Sequence, residues 1–344
     1  MVSEARGVNS PAKPLVIIVG PTGSGKSALA IELARQFNGE VVNCDSLQLY
    51  RGFDIGTAKT PVAERREIPH HLFDVLEPEE GYSAGEYSRA ARAALQQISA
   101  GGRLPIVAGG TGFYLKALLE GLPSLPERDE ALRTRLAAKE ARKPGVLHRL
   151  LTRLEPAAAA KIHARDVQKV TRALEIRLTT REARPSIETA APLEGYSAIK
   201  IGLHPDRAEL CARLDRRVIA MFQGDMFQSD MFQGGLLDEV RGLLARGVSP
   251  SAKPFESLGY KQALAHIRGA LTFEEAIEST QIETRQYAKR QLTWFRRDPA
   301  IHWLAGFGDD AGIQKAAGLL VRHVAEHSMS SSIVPGIVPG PEPR

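Results

Sequence analysis

The sequence predicts an α/β fold: a parallel sheet covered by helices on both faces, with an all-helical segment inserted into it. Three observations predict this. Residues 15–120 alternate short apolar runs with helical stretches. Val16 to Val19 is wholly apolar, the pattern of a strand buried on both faces, and it runs through a glycine-rich turn into a helix. From Glu127 to about Pro192 strand-like runs stop and only helical segments remain.

Taken in order, residues 1–13 read as a loose leader. Gly20 to Ser27 after the first strand fits G-x-x-x-x-G-K-[ST], and Ala28 to Ala34 continues as helix. Strand, glycine turn and helix in that order make a phosphate cradle, so the core is P-loop NTPase-like and a di- or triphosphate binds at this turn. Lys26 adds a full positive charge and Ser27 a hydroxyl for a metal ion. Glu40 to Asp45 is a second strand ending on an acid, and His71 to Leu76 a short third. Ser83 opens a helix to Ala100, with Glu86 completing a capping box and Gly101-Gly102 stopping it. Leu104 to Ala108 is a further strand, followed by Gly109-Gly110-Thr111-Gly112 and a helix from Phe113 to Leu119. Ligands are expected at the carboxyl ends of these strands.

The turn around Gly121 to Pro126 marks a boundary. Helices are expected over Glu130–Arg142, Val146–Leu154, Pro156–His163 and Val167–Thr179. Residues 127–200 hold 16 Lys/Arg against 10 Asp/Glu, a net of +6, where the whole chain carries +5. The basic excess is therefore concentrated in this segment. Ile199 to Leu203 returns to the sheet, and a helix from near Asp206 carries Arg213, Arg216 and Arg217. Met-Phe-Gln then occurs three times at a spacing of five, at residues 221, 226 and 231, which fits neither a helix face nor a strand face; a local duplication is the plain reading, a methionine-aromatic contact surface the other. Leu236 to Ala245 resumes a helix, Ser257 to Gln262 turns into another, and Thr272 to Trp294 is a long one. Ile301 to Leu304 is the last strand and Gly312 to His327 the last helix. The domains are then 14–125 and 198–327 for the core, 126–197 for the insertion, and a disordered tail over 328–344.

Composition bounds the function. Apolar content of 43% and charged content of 25% are those of a globular protein, and no apolar run is long enough to span a membrane. Residues before Pro14 lack the apolar core of a signal peptide, and two cysteines, Cys44 and Cys211, are too few for a disulfide framework or a zinc site. A cytoplasmic location, with no membrane partner, is the expectation. Asp45 at a strand end facing the phosphate turn would take a proton from a nucleophile or hold magnesium through water; otherwise it caps the next turn. Thr111 lies on the same edge, in what is otherwise a tight turn. Arg213 and Arg217, four apart, share a helix face and would clamp a pyrophosphate, or else are solvated. His70-His71 lacks partners at metal-ligand spacing and reads as structural. From the residues alone, an ATP-dependent kinase competes with a transferase that uses another pyrophosphate ester and a polyanionic acceptor. A nucleic-acid binding module switched by nucleotide is the third reading.

Ordered motifs separate these. Gly20-Pro-Thr-Gly-Ser-Gly-Lys-Ser27, Asp45-Ser-Leu-Gln-Leu-Tyr-Arg-Gly52, Asp54-Ile-Gly-Thr-Ala-Lys59, Pro69-His-His-Leu72, Ala108-Gly-Gly-Thr-Gly-Phe-Tyr114, Gln168-Lys-Val-Thr-Arg-Ala-Leu-Glu175, Gly259-Tyr-Lys-Gln262 and Arg285-Gln-Tyr-Ala-Lys-Arg-Gln-Leu-Thr-Trp294 follow one another across residues 15–305. In this the chain resembles the tRNA dimethylallyltransferase (isopentenyltransferase) family. The resemblance implies transfer of a dimethylallyl group from dimethylallyl diphosphate to N6 of the adenosine 3′-adjacent to the anticodon, in tRNAs reading codons that begin with U. It implies diphosphate as leaving group, Mg2+ as cofactor, tRNA as partner through its anticodon stem-loop, and a monomer with no obligate protein partner. Asp45 would be the general base, and Thr111 would contact the bridging oxygen and the acceptor nucleotide. Gly20, Pro21, Thr22, Gly23, Ser24, Gly25, Lys26 and Ser27 would hold the diphosphate, with Arg217 and Arg213 adding charge and Ser27 reaching the metal. Asp45, Ser46, Leu47 and Gln48, with Arg133, with Gln168, Lys169, Val170, Thr171 and Arg172, and with Glu256, Ser257, Leu258, Gly259, Tyr260 and Lys261, would touch tRNA through the inserted tRNA-binding domain and the core. The Met-Phe-Gln triplicate departs from the pattern just after Arg217. No cysteine follows Cys211 in the sequence, so no C-terminal zinc finger is expected and the bacterial type is implied. An adenylate isopentenyltransferase acting on free AMP, ADP or ATP is the alternative, and a P-loop kinase the next.

Overall fold

A computed structural model of the chain describes residues 12–123, 125–126, 128–179, 191–224 and 234–327. The chain divides into two compact units, one formed by Met1–Leu119 with Leu193–Arg344 and the other by Glu120–Pro192. The first holds a six-stranded sheet, every pairing parallel. Its strands are β1 (Lys13–Val19), β2 (Gly39–Asn43), β3 (His70–His71), β4 (Leu104–Ala108), β5 (Tyr196–Leu203) and β6 (Ile301–Leu304), in the order β3-β2-β4-β1-β5-β6. Val16 lies between Ile106 of β4 and Ile199 of β5. A strand with neighbours on both edges and helices on both faces has no polar side, so Leu15 to Val19 are all at most 2% exposed.

Helix α1 (Lys26–Phe37) follows the phosphate turn, α2 (Ala84–Ala100) precedes β4, and α3 (Gly112–Glu120) follows it. Ser83 Oγ accepts from the Glu86 amide while Glu86 accepts from the Ser83 amide, the reciprocal cap expected from the sequence. After the second unit come β5, α8 (Arg207–Gln223), α9 (Leu236–Ala245), α10 (Tyr260–Ile267), α11 (Phe273–Phe295), β6 and α12 (Ala311–His327). The third strand is shorter than expected. Only His70 and His71 pair with β2, because Leu72 and Asp74 take positive φ angles (61° and 54°) that end the strand, and Leu76 makes an isolated bridge to Tyr50. Met221 and Phe222, the first of the Met-Phe-Gln repeats, end α8 inside the core at 5% and 4% exposed. The other two repeats, nearly all of the leader and the tail from 328 lie outside the described residues.

In the second unit α4 (Glu130–Arg142), α5 (Val146–Leu154), α6 (Pro156–Ala159) and α7 (Val167–Thr179) enclose a core of Leu132, Leu136, Leu147, Leu151, Val170 and Leu174. Helix α6 stops four residues before His163, the end expected for it. No helix among the described residues is long and apolar enough to cross a membrane.

Candidate active site

The carboxyl ends of β1, β2 and β4 border a cavity of about 670 Å³ in the first unit. Thr22, Lys26, Asp45, Gln48, Arg217 and Gln291 all line it. The phosphate turn lies against α8 and the loop after β6. Gly25 has φ +84°, and a Cβ there would stand 2.6 Å from Asp309 Oδ1 and 2.7 Å from the Gly308 amide, so only glycine fits. Lys26 Nζ donates to Pro21 O at 2.7 Å. Burial lowers its pKa to about 8, the Asp45 charge opposing and the Arg217 charge adding to that shift.

Arg217 reaches the turn from α8, its Nη2 donating to Thr22 Oγ1 at 2.8 Å. Burial and the neighbouring Arg213 lower its pKa to about 10. Arg217 Nε and Ser24 Oγ are buried and have no hydrogen-bond partner among the described residues. Arg217 lines the cavity and Ser24 does not, so the Arg217 guanidinium, with a donor to spare, is the group suited to an anion there. Arg213 also lines the cavity, but Asp309 grips it through two bonds of 2.9 Å and Phe307 lies under its guanidinium at 4.7 Å. The two arginines therefore share a face, as their spacing predicts, while only Arg217 bonds the phosphate turn.

Asp45 stands two residues beyond the end of β2, in a turn and not on the strand. Asn43, 1% exposed, builds that turn: its Oδ1 accepts from the Asp45 amide at 2.8 Å and its Nδ2 donates to Asp45 O and Leu72 O. The carboxylate accepts from the Leu47 amide at 3.0 Å. Burial pushes its pKa up, against the Leu47 amide, the Lys26 charge and the Gln48 amide. Thr111 is beside it: its amide donates to Cys44 O at 3.0 Å and its Oγ1 accepts from the Ser46 amide at 3.1 Å. Thr111 is not itself on the cavity wall. Gly109 makes the approach possible, since a Cβ there would lie 2.1 Å from Cys44 O.

Gln291 of α11 was not singled out by sequence reasoning. Its Oε1 accepts from the Thr22 amide at 2.7 Å and its Nε2 donates to Gly110 O at 3.0 Å, so one side chain joins the phosphate turn to the loop carrying Thr111. A signal existed: Ala276, Thr280, Thr284, Ala288, Gln291 and Phe295 form the buried stripe of α11, and a glutamine on such a stripe needs polar partners. Next to it Lys289, Arg290, Thr293, Trp294 and Arg297 surround a second, shallow hollow of about 210 Å³.

The remaining sequence candidates divide. Tyr260 is wholly buried, its hydroxyl donating to Glu239 and accepting from the Gly56 amide at 3.1 Å, and Gly259 is buried beside it. Tyr260 holds the loop after Asp54, and neither residue offers a surface to a partner. Glu256 and Lys261 are exposed, and Ser257 and Leu258 partly so. In the second unit Gln168 and Lys169 are exposed, Thr171 and Arg172 partly so, and Val170 is 1% exposed in the core, because a helix cannot present five consecutive residues to one side. Arg133 and Arg172 both bond Glu175, whose side chain is fully buried. His71 Nε2 bonds Glu40 at 2.5 Å inside the sheet edge, which is the structural part expected of it. Cys44 and Cys211 are free thiols, and burial pushes Cys44 up to about 12.

No group of three or more His, Cys, Asp or Glu among the described residues could cage a metal. Ser27 and Asp45 are hard oxygen donors on one wall. That set suits an ion held by one or two protein oxygens, waters and a substrate's phosphates.

The IPP transferase family model matches residues 48–298. The tRNA dimethylallyltransferase of Solibacter usitatus is 57% identical over 308 residues, 88% of this chain and 96% of that protein. That of Koribacter versatilis is 48% identical over 311 residues, 90% and 98% of the two. Among solved structures, the full-length tRNA isopentenylpyrophosphate transferase of Bacillus halodurans is 35% identical with a TM-score of 0.64, over 92% of this chain and 97% of that one. A eukaryotic dimethylallyltransferase acting on tRNA is 28% identical with a TM-score of 0.73, over 92% and 80%.

Proposed function

The chain belongs to the IPP transferase family, and from that premise we propose that it moves the dimethylallyl group of dimethylallyl diphosphate to N6 of the adenosine 3′-adjacent to the anticodon, in tRNAs reading codons that begin with U. It is a tRNA prenyltransferase, and free AMP is not its acceptor: the relatives are named for tRNA. The observation that carries the mechanism is the shared cavity wall, where a phosphate turn with Lys26 and Arg217 faces a carboxylate at Asp45. An exocyclic adenine amine is a poor nucleophile, because its lone pair is delocalised into the ring. Asp45 takes an N6 proton as nitrogen bonds the allylic carbon. The allylic C–O bond breaks and its electron pair stays on the diphosphate. Lys26, the turn amides and Arg217 stabilise that charge, with Arg213 joining once it leaves Asp309. Mg2+, held at Ser27 and by the diphosphate, would supply further charge stabilisation when bound. Thr111 orders Ser46 and hence the turn that presents Asp45.

The acceptor adenosine must leave its stack to reach an enclosed carboxylate, which suits a single-stranded anticodon loop. The basic excess of residues 127–200 supplies phosphate contacts. The same reading has the enzyme act as a monomer in the cytoplasm. Labelled dimethylallyl diphosphate offered with unmodified tRNA, AMP or ATP tests this reading. Label on tRNA alone is expected; label on free nucleotide and none on tRNA rejects it.

A further inference from the structure

Asp309 lines the same cavity as the phosphate turn, from the loop between β6 and α12. The transfer step makes no use of it, and a carboxylate beside a diphosphate site weakens binding by repulsion. Its loop is bolted to the turn. The Gly308 amide donates to Ser24 O at 2.8 Å, and a Cβ on Gly308 would stand 2.3 Å from Gly25 O. Gln314 Nε2 donates to Gly308 O at 3.0 Å, and the Phe307 amide donates to Asp310 Oδ2 at 3.0 Å. With its backbone fixed in this way, Asp309 cannot back away from the turn.

The carboxylate takes Arg213 in a fork. Nη1 donates to Oδ1 and Nη2 to Oδ2, both at 2.9 Å. An arginine meets a phosphate with the same two-pronged geometry. Phe307 lies under the guanidinium and steadies it from the side. One helical turn on, Arg217 is bonded to Thr22 of the phosphate turn. The Arg213 charge is one cause of the lowered Arg217 pKa, so the two guanidinium groups stand close enough to repel. Such a pair needs an anion, and Asp309 supplies one.

With the cavity read as the dimethylallyl diphosphate site, we propose that Asp309 is a built-in substitute for diphosphate, holding Arg213 when no donor is bound and giving it up to the incoming donor. The guanidinium cannot spend the same two hydrogens on both partners, so donor binding is an exchange. Arg213 makes the move, because its long side chain has many rotamers while Asp309 sits on a fixed loop. The side chains of Arg213 and Asp309 are 37% and 44% exposed, so the fork is held as loosely as a surface ion pair and the donor can break it. The exchange runs in both directions. After transfer, Asp309 competes for Arg213 again and helps the product diphosphate to leave.

The test is calorimetric titration of inorganic diphosphate and of dimethylallyl diphosphate into the wild type, Asp309→Asn, Arg213→Ala and the double variant. Asp309→Asn should bind both ligands about fivefold more tightly, the upper end for an exposed ion pair. In the Arg213→Ala background the same change should alter affinity by less than about twofold, because the two side chains act as one unit. An equal gain in both backgrounds makes Asp309 a simple repelling charge and overturns the exchange. Weaker or unchanged binding by Asp309→Asn also overturns it, and leaves the reading of the cavity in place. If Asp309→Asn does not fold, Asp309→Ser must show the same gain or the proposal fails. Failure of the wild type to bind either ligand overturns the reading of the cavity itself.

Discussion

At the scale of single residues the site is a set of charges whose enclosure moves their pKa values. Lys26, ordinarily charged far into the alkaline range, is lowered to about 8 by burial. A lysine must be protonated to attract diphosphate, so affinity of the free enzyme for dimethylallyl diphosphate should hold below that pH and weaken as pH rises through it. Lys26→Arg should remove the alkaline decline; calorimetric titration at pH 7 to 9.5 (roughly the window set by that shift) checks both. Asp45 moves the other way. Its carboxyl is raised by burial, and a base works only when ionised, so the acid limb of single-turnover transfer should lie above the ordinary carboxylate range. Asp45→Asn should cut transfer by roughly 10²- to 10⁴-fold while donor affinity stays within a few-fold. Lys26 in the phosphate turn and Asp45 after the second strand were both legible as residue types. The sense of their shifts was not, because desolvation depends on what closes over a side chain.

At the scale of elements, the working parts are loops held by side chains from helices far along the chain. Glu239 of α9 and Tyr260 of α10 take three successive amides of the Asp54–Gly56 loop. Tyr260→Phe leaves the Gly56 amide and one Glu239 oxygen without a partner, and should cost about 1–3 kcal/mol in denaturant unfolding. Gln291 of α11 joins the phosphate turn to the loop after β4. Gln291→Ala should weaken donor binding and slow transfer together, since it frees the Thr22 amide and Gly110 O at once; a loss of tRNA affinity alone would contradict that coupling. The sequence placed α9 and α11 within a residue of their ends and put a turn at Ser257–Gln262, where α10 starts. It could not tell that a buried tyrosine inside a candidate tRNA-binding stretch serves the loop instead, because burial follows from packing across more than 200 residues.

At the scale of the whole molecule, two units carry separate hydrophobic cores. The helical unit is pinned by one buried carboxylate. Burial raises Glu175, but bonds from Arg133, Arg172 and the Asp129 amide outweigh it and hold the group at about 2. A folded pKa below the unfolded one stabilises above about pH 4.5 and is lost as pH falls through that range toward 2. This unit should therefore lose stability across that acid window. Glu175→Ala strands two arginines and should destabilise it by about 3–5 kcal/mol, read by hydrogen exchange of its amides.

The sequence by itself determined the parallel sheet, the phosphate turn and an acid close after the second strand, because each is written in contiguous residues: apolar runs, glycines at fixed spacing, a cap and its partner. It also determined the family, through motifs in a fixed order. Only the tertiary structure decided which motif residues face the cavity. Val170 and Tyr260 turned inward, Gln291 turned toward the site, and Gln48 on the cavity wall was tied to the Thr57 carbonyl. The physical reason is that a polar side chain takes its orientation from the partners that satisfy it, and here those partners lie on elements distant in the chain.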